Sequence, residues 1–139
     1  MKKIIITGLL LCIVGFYLSA ESTAHPTNKN AILRGKKIYN ANCLSCHQHN
    51  GSGVQDMNPP LRKSPFVTGS TTKLIKILLN GLNDGVEING DTYSNPMPVF
   101  GTVLKDQQIA DVLTYIRNSF GNKASTVYAS QVRKVRLQQ

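Results

Sequence analysis

The pentapeptide Cys43-Leu44-Ser45-Cys46-His47 carries the clearest chemistry in the chain. Cys-x-x-Cys-His is the attachment sequence of c-type haem. Two thiols three positions apart lie on one helical turn and can add to the two vinyl groups along one side of the porphyrin, and the next residue then presents an imidazole to the iron. We therefore predict one covalently bound haem c, with Cys43 and Cys46 as its anchors and His47 as the proximal iron ligand.

Three other interpretations of this cysteine pair are weaker. A thiol oxidoreductase would place the pair at a strand-to-helix turn of an α/β pattern, and the sequence has no such pattern. A zinc site needs a second pair of ligands, which His25 and His49 are not spaced to supply. A plain disulfide would leave the long loops of this small chain unexplained.

The distal iron position has few candidate ligands. His49 is too close to His47 in sequence to reach the opposite face of a haem, and Met57 lies in the Gly-rich loop on the proximal side. Met97 stands between two prolines in Asn95-Pro96-Met97-Pro98, where the backbone is stiff. We predict Met97 as the distal ligand, because a soft thioether held by a rigid loop suits iron that cycles between oxidation states with little rearrangement. A His/Met pair raises the reduction potential relative to two nitrogen ligands, and the implied activity is one-electron transfer.

Three helices and long loops must position these side chains. Apolar spacing predicts one helix over residues 31–41, a second from Thr71 or Thr72 to Leu79, and a third over residues 109–120, begun by Asp106 and ended by Gly121. The third has its polar residues, Asp111 and Thr114 among them, on the side away from the apolar stripe. Residues 50–70 read as loop, and residues 83–100 leave room for at most a small hairpin. Long loops in a small domain indicate that they wrap a large apolar cofactor.

The composition and the N-terminus indicate one small exported domain. The chain has 139 residues, with 16 Lys+Arg against 7 Asp+Glu and a net charge of +9. A basic start, an apolar run over residues 4–18 and small residues after it are typical of a secretory signal peptide over residues 1–24, cut after Ala24 or after Ala20. The apolar run is shorter than a comfortable membrane span, and an uncleaved anchor is the alternative. Cys12 leaves with a cleaved signal, and the predicted location is the periplasm.

The chain resembles a class I cytochrome c over residues 30–122. The resemblance rests on these segments: Gly35-x-x-x-Tyr39-x-x-x-Cys43, Cys43–His47, Gly51-Ser52-Gly53, Pro59-Pro60-Leu61, Met97-Pro98 and Ile109 through Gly121. It implies an all-α fold of about three to five short helices wrapped around one haem. It also implies that Gly35 and Tyr39 of the first helix cross the last helix near Val112 and Tyr115.

The resemblance further implies a proline carbonyl that accepts the other ring N–H of the proximal histidine. Pro59 is the matching position, with Pro60 as a substitute. Such a bond orients the imidazole and raises its basicity. The segment from Tyr93 to Arg117 is similar to the cytochrome modules of respiratory enzyme complexes.

These features predict a signal peptide at 1–24, a haem domain at 25–122 and a basic C-terminal tail at 123–139 that forms a weak helix or a frayed end. The predicted function is single-electron transfer between respiratory partners (a terminal oxidase, reductase or dehydrogenase), docked through an acidic patch of the partner, without catalysis by this chain. No nucleic-acid partner is expected, and a membrane only if the signal is retained. The alternatives are a haem enzyme or gas sensor with a displaceable distal ligand, and an exported thiol oxidoreductase.

Overall fold

The structure is a computed structural model that describes residues 28–139. The predicted signal peptide, with Cys12, lies outside the described residues. Within them the elements, in chain order, are α1 (Asn28–Asn42), α2 (Leu44–His47), α3 (Pro65–Thr68), α4 (Thr71–Asn80), β1 (Val86–Ile88), β2 (Asp91–Tyr93), α5 (Asp106–Arg117) and α6 (Ala129–Arg136). The all-α prediction is therefore correct, with one helix more than expected in this part of the chain. None of these helices is long and apolar enough to cross a membrane.

The contact between α1 and α5 is the main packing interaction of the fold. A Cβ atom placed on Gly35 would lie 2.1 Å from the carbonyl oxygen of Asp111 and 2.7 Å from the Cβ atom of Tyr115, so only glycine fits at this crossing. The rings of Tyr39 and Tyr115 lie 5.4 Å apart, and Phe120 packs against both. The predicted crossing is confirmed for Gly35, Tyr39 and Tyr115, while the backbone closest to Gly35 is that of Asp111 rather than Val112.

An ion pair reinforces this helix crossing. The guanidinium group of Arg34 donates from Nε to Oδ2 of Asp111 (2.6 Å) and from Nη2 to Oδ1 (2.8 Å). The Asp111 side chain is only 3% exposed, and Gln107 donates a further hydrogen bond to it. A buried carboxylate is tolerated here because Arg34 balances its charge and three hydrogen bonds reach its oxygens.

Helix α5 is buried on every side from Ile109 to Arg117, and not only on its apolar stripe. The expectation that Asp111 and Thr114 line a polar outer side is wrong, since α1 covers Asp111 and the chain after α5 covers Thr114. The Thr114 hydroxyl donates to the carbonyl of Val127 and accepts from its N–H group. The helix ends at Arg117, before the expected Gly121, and the side-chain amide of Asn122 donates to the carbonyl of Ile116 in its last turn.

Helix α4 and the hairpin precede the loop that carries Met97. Ser70, and not Thr71 or Thr72, is the N-cap of α4, since its hydroxyl accepts from the N–H of Lys73. Gly81 ends the helix with a φ of 69°. Residues 83–100, which left room for at most a small hairpin, form one from β1 and β2. Asn89 and Gly90 make its two-residue turn with positive φ angles, as a type I′ turn requires.

The chain from residue 123 to the C-terminus is packed against the core. Val127, Val132 and Val135 are buried among side chains of the hydrophobic core, and α6 contacts both α4 and α5. Of the two predicted forms, a weak helix or a frayed end, the structure has a helix, and it is packed against the core. Its apolar positions recur at a three-residue interval, which places Val132 and Val135 on one face of a helix whose other residues are mostly polar.

Candidate functional site

The Cys-x-x-Cys-His segment lies where α1 gives way to α2. Cys43 immediately precedes α2, and Cys46 and His47 are its last two residues. The N–H of His47 donates to the carbonyl of Cys43, so the motif occupies one helical turn as the spacing predicts. Gln48, with a φ of 63°, ends the turn, and its carbonyl accepts a 2.6 Å hydrogen bond from the hydroxyl of Tyr39.

His47 is oriented by a backbone carbonyl. Its Nδ1 atom lies 2.9 Å from the carbonyl oxygen of Pro59. A carbonyl oxygen can only accept, so Nδ1 carries the proton and Nε2 keeps a free lone pair, the form in which imidazole binds a metal. Burial lowers the pKa of His47, which also favours the neutral ring. Pro59, the first of the two prolines, occupies the position that the resemblance assigned to it.

The loop that carries Pro59 is itself held tightly. The backbones of Val54 and Asn58 exchange hydrogen bonds of 2.8 and 2.9 Å, and the N–H of Gly53 donates to the carbonyl of His47. A Cβ on Gly53 would lie 2.1 Å from the carbonyl oxygen of Asn58 and 2.7 Å from that of Pro59. The glycine therefore allows the loop to approach closely enough for Pro59 to reach His47.

Met97 is held by a two-way backbone bridge. Its N–H donates to the carbonyl of Leu82 at 2.7 Å, and its own carbonyl accepts from the N–H of Leu82 at 3.0 Å. Gly81 lies against this bridge, because a Cβ there would come within 2.4 Å of the Met97 carbonyl oxygen. The chain just after α4 therefore fixes the backbone of Met97.

The loops that carry Pro59 and Met97 also touch each other. The N–H of Asn95 donates to the carbonyl of Met57 (3.0 Å), and its side-chain amide donates to Oδ1 of Asn58 (3.3 Å). Ser94 donates through its N–H and its hydroxyl to the carbonyl of Asp56. These bonds join the loop beside His47 to the loop that holds Met97.

Two adjoining cavities, both partly open to solvent, lie between these loops and the helices. Both are lined by Cys43, His47, Pro59 and Met97, and the second also by Cys46. Most of the other side chains that line the first cavity are apolar: Leu61, Phe66, Val67, Leu74, Ile77, Leu78, Leu82, Val86, Ile88, Phe100, Leu104, Val112 and Ile116. Every residue of the predicted site therefore borders the same space.

The site suits a haem. A concave, mostly apolar site with a few convergent donor groups suits a large flat macrocycle. Cys43, Cys46 and His47 line the second cavity from one segment, and Met97 lines it from another. Nitrogen and thioether donors are soft enough to bind iron in both of its common oxidation states.

The structure does not support a thiol oxidoreductase, a zinc site or a different distal ligand. Burial raises the pKa of the Cys43 thiol to about 11, whereas a reactive redox cysteine has a lowered pKa. Among residues 28–139 no three His, Cys, Asp or Glu side chains lie together as a metal-binding group. Met57 and His49 are exposed and border neither cavity.

Charge is unevenly distributed around the site. Four exposed carboxylates (Asp56, Asp84, Glu87 and Asp91) make no ion pair in the part of the chain that the structure describes. Three of them lie in the segment 77–104, which contains no Lys or Arg. Asp84 borders the cavity that Cys46 lines. The surface close to this cavity is therefore less basic than the protein as a whole.

A small helical fold around an apolar cavity, with a Cys-x-x-Cys-His turn on its wall, defines a protein with covalently attached haem. The sequence profile of the cytochrome c family matches residues 32–120. The chain belongs to the cytochrome c family, and its cofactor is covalently bound haem c. The resemblance to a class I cytochrome c is thereby confirmed.

Individual relatives fall into two kinds. The chain is 38% identical to the cytochrome c subunit of a quinone alcohol dehydrogenase from Gluconacetobacter polyoxogenes, over 88% of this chain and 27% of that subunit. It is 39% identical to the gluconate 2-dehydrogenase cytochrome c subunit of Pantoea cypripedii, over 73% of this chain and 24% of that subunit. Cytochrome c-552 of Thermus thermophilus is 36% identical, over 73% of this chain and 83% of that protein. The chain thus spans about a quarter of the dehydrogenase subunits and most of the c-552 protein.

Several residues around the site escape sequence reasoning. Leu82 holds Met97 through its backbone, and such a contact leaves no mark on residue type. Asn58 and Asn95 join two loops across 37 positions of sequence. Arg136 lies in the predicted basic tail, where the residue type alone indicates a solvent-exposed charge and no structural contact. Of these residues, only Asn95 had a local sequence signal. An Asn before a Pro is typical of a turn in which the Asn side chain makes hydrogen bonds.

Proposed function

We propose that this protein is an exported monohaem cytochrome c that carries single electrons between a dehydrogenase and a respiratory acceptor, with His47 and Met97 as the axial iron ligands. It would act as a carrier or as an electron-transfer subunit and would catalyse no substrate reaction itself. The observation that carries the proposal is that Cys43, Cys46, His47 and Met97 border one cavity although Met97 is 50 positions from His47.

Haem c supplies one-electron oxidation and reduction of its iron. The residues of this chain perform the remaining tasks. Pro59 holds the ring of His47 in one tautomer and one orientation. Leu82 holds the backbone of Met97. The apolar wall around them excludes water, which lowers the local dielectric and so disfavours the more highly charged oxidised state.

Rigid ligand positions support a carrier. Electron transfer is fast when the iron site changes little between its two oxidation states, and both predicted ligands lie in segments fixed by backbone hydrogen bonds. A haem enzyme or gas sensor needs an open or easily opened position instead. The stiff Pro96-Met97-Pro98 segment and its bridge to Leu82 favour a position that stays closed.

The choice of a dehydrogenase as electron donor comes from the relatives. The cytochrome subunits of alcohol, gluconate and fructose dehydrogenases each match this chain at 35% identity or more. Their substrates belong to those complexes, and the present chain would take only the electrons. Thermus cytochrome c-552, a similar protein of about the same size, supports a second form of the proposal in which the chain acts alone.

Export is the part of the proposal that depends on the sequence alone. Residues 1–24 have the basic, apolar and small-residue segments of a signal peptide. Fractionation of expressing cells and N-terminal sequencing of the mature protein would test it. We expect a periplasmic protein that begins at Glu21 or His25, and a protein that retains Met1 in the membrane fraction would mean an uncleaved anchor.

The net charge of +9 favours docking to an acidic patch of the partner. The carboxylates near the cavity oppose this, because they would meet the same patch if the partner docked there. The dependence of the electron-transfer rate on ionic strength distinguishes the two. A rate that rises as salt is lowered supports an acidic partner, and a rate that falls or stays constant contradicts it.

The first experiment is the absorption spectrum of the purified holoprotein, reduced, before and after addition of carbon monoxide. We expect a covalent-haem spectrum that carbon monoxide leaves unchanged, because protein ligands hold both axial positions. An immediate spectral shift would mean an open distal position and would support the enzyme or sensor alternative. Titratable thiols and no covalently bound haem would support the thiol oxidoreductase.

A further inference from the structure

The C-terminal helix α6 lies beyond residues 32–120, the part of the chain that the cytochrome c family profile covers. One of its side chains makes an unusual set of contacts. Arg136 donates from Nε to Oδ1 of Asp106 (2.8 Å), from Nη1 to the carbonyl of Gly101, and from Nη2 to the carbonyl of Leu104 (3.1 Å). A single guanidinium group therefore joins the C-terminal helix to both ends of the segment 101–104.

This segment begins four positions after Met97, and its last residue forms part of the cavity wall. Phe100 and Leu104 line the same cavity as Met97. From the other side, the carbonyls of Leu78 and Leu79 accept from the N–H groups of Phe100 and Gly101. The segment is thus held between α4 on one side and Arg136 of α6 on the other.

The remaining contacts of the C-terminal segment keep α6 in place. Val132 and Val135 are buried in the core, at 0% and 4% exposure. Arg117 donates to the carbonyl and hydroxyl of Ser125, and Thr114 exchanges two hydrogen bonds with the backbone of Val127. A helix anchored in this way can act as a fixed support for the guanidinium group.

We propose that Arg136 is a positioning residue that holds the segment 101–104 and thereby keeps Met97 on the distal side of the haem. The inference rests on the proposed His47/Met97 ligation. Without Arg136 the carbonyls of Gly101 and Leu104 lose their charged donor. The segment 101–104 then separates from α6 more often. Met97 then leaves the iron more often, and an external ligand can enter.

The chain offers a matched control for this arginine. Arg133 lies one helical turn earlier on α6 and approaches the same carboxylate, Asp106, at 3.6 Å. Its side chain is 74% exposed, against 32% for Arg136, and no hydrogen bond from it to a backbone carbonyl occurs in the described part of the chain. Arg133→Ala and Arg136→Ala remove the same charge from the same helix, but only the second frees the carbonyls of Gly101 and Leu104.

The test compares four variants of the full-length holoprotein: Arg136→Ala, Arg136→Lys, Arg133→Ala and Asp106→Asn. The readouts are the rate of carbon monoxide binding to the reduced protein and the sulfur-to-iron charge-transfer absorption of the oxidised protein. We expect Arg136→Ala to bind carbon monoxide roughly ten-fold faster than the wild type, the factor that about 1.4 kcal/mol of lost loop stability gives. Its sulfur-to-iron band should be weaker.

The other variants separate position from charge. Arg133→Ala and Asp106→Asn should keep the wild-type carbon monoxide rate, because the bonds from Arg136 to the two carbonyls remain. Arg136→Lys keeps the charge but not the planar fork, so it should bind carbon monoxide almost as fast as Arg136→Ala. A wild-type rate in Arg136→Lys, or equal rates in Arg136→Ala and Arg133→Ala, would overturn the proposal.

The outcomes also separate this inference from the proposed function. If the wild type itself binds carbon monoxide at once and has no sulfur-to-iron band, Met97 is not the distal ligand and the proposed ligation fails. If the wild type excludes carbon monoxide and all four variants do so equally, the electron carrier stands and the role of Arg136 fails. Far-UV circular dichroism of each variant checks that the helices are intact during the measurement.

Discussion

The Nδ1 atom of His47 lies 2.9 Å from the carbonyl oxygen of Pro59, and Gly53 is the residue that lets these two groups meet. The bond fixes the tautomer of the imidazole and gives the ring some anionic character when it donates to a carbonyl. An anionic ligand stabilises ferric iron more than ferrous iron. The strength of this one contact should therefore tune the reduction potential.

Gly53→Ala tests that contact. The new Cβ would lie 2.7 Å from the Pro59 carbonyl oxygen and must displace it from His47. We expect the reduction potential to rise by about 30–60 mV, since 59 mV corresponds to a ten-fold change for a one-electron couple. Gly90→Ala is the control, because Gly90 also has a positive φ angle but has no atom within 4 Å of the new Cβ. An equal shift in both variants would contradict the assignment.

Met97→Ala tests the distal ligand. The reduced variant should bind carbon monoxide readily, and its potential should fall because the thioether is lost. A protein ligand that occupies the iron 99% of the time weakens the apparent affinity for carbon monoxide about 100-fold, so its removal should strengthen binding by about that factor. Carbon monoxide titration followed by absorption measures it.

Met57→Ala is the matched control for that prediction, since Met57 is 48% exposed and borders neither cavity. It should behave as the wild type. If Met57→Ala opened the iron and Met97→Ala did not, the assignment of the distal ligand would be wrong.

Gly35→Ala tests the helix crossing. The added methyl group would lie 2.1 Å from the carbonyl oxygen of Asp111, and both helix backbones would have to move apart. We expect the free energy of unfolding to fall by about 3 kcal/mol. Lys36→Ala, at the exposed neighbouring position of α1, should change it by less than about 0.5 kcal/mol. Denaturant unfolding followed by circular dichroism compares them, and similar losses in both variants would speak against the crossing.

The buried phenol of Tyr39 should make the free energy of unfolding depend on pH. Its ring is buried, and burial raises the pKa of its phenol well above the ordinary value of about 10. Because the folded state keeps the phenol neutral while the unfolded state ionises, this contribution to stability is complete below about pH 10 and is lost as the pH rises further. The free energy of unfolding should therefore fall above about pH 10.

Tyr39→Phe checks this dependence. The variant loses the hydrogen bond to the Gln48 carbonyl and should be less stable at pH 7 by about 1 kcal/mol. Its stability should then decline less steeply between pH 9 and 11 than that of the wild type, as about one phenol no longer titrates. Some decline should persist, because burial also raises the pKa of Tyr115. Parallel declines in the two proteins would mean that Tyr39 does not couple to folding.

Local sequence determined the chemistry of the protein and most of its helices. The spacing of Cys43, Cys46 and His47 decides which side chains share one helical turn, and this depends on backbone geometry alone. The three-to-four-residue spacing of apolar side chains likewise predicts α5 from the local sequence alone. The cost of Gly35 within α1 indicated that something packs closely there, although the sequence did not say which backbone.

Only the tertiary structure decided which distant groups meet. Asp111 and Thr114 are polar residues on an amphipathic helix, and they are buried because α1 and the chain near Val127 supply their hydrogen-bond partners. The basic residue Arg136 looked like part of a solvated tail, yet it lies against two backbone carbonyls more than 30 positions away. Periodicity reports which face of a helix is apolar, but whether a polar group is exposed or paired depends on atoms far away in the chain, which residue type does not record.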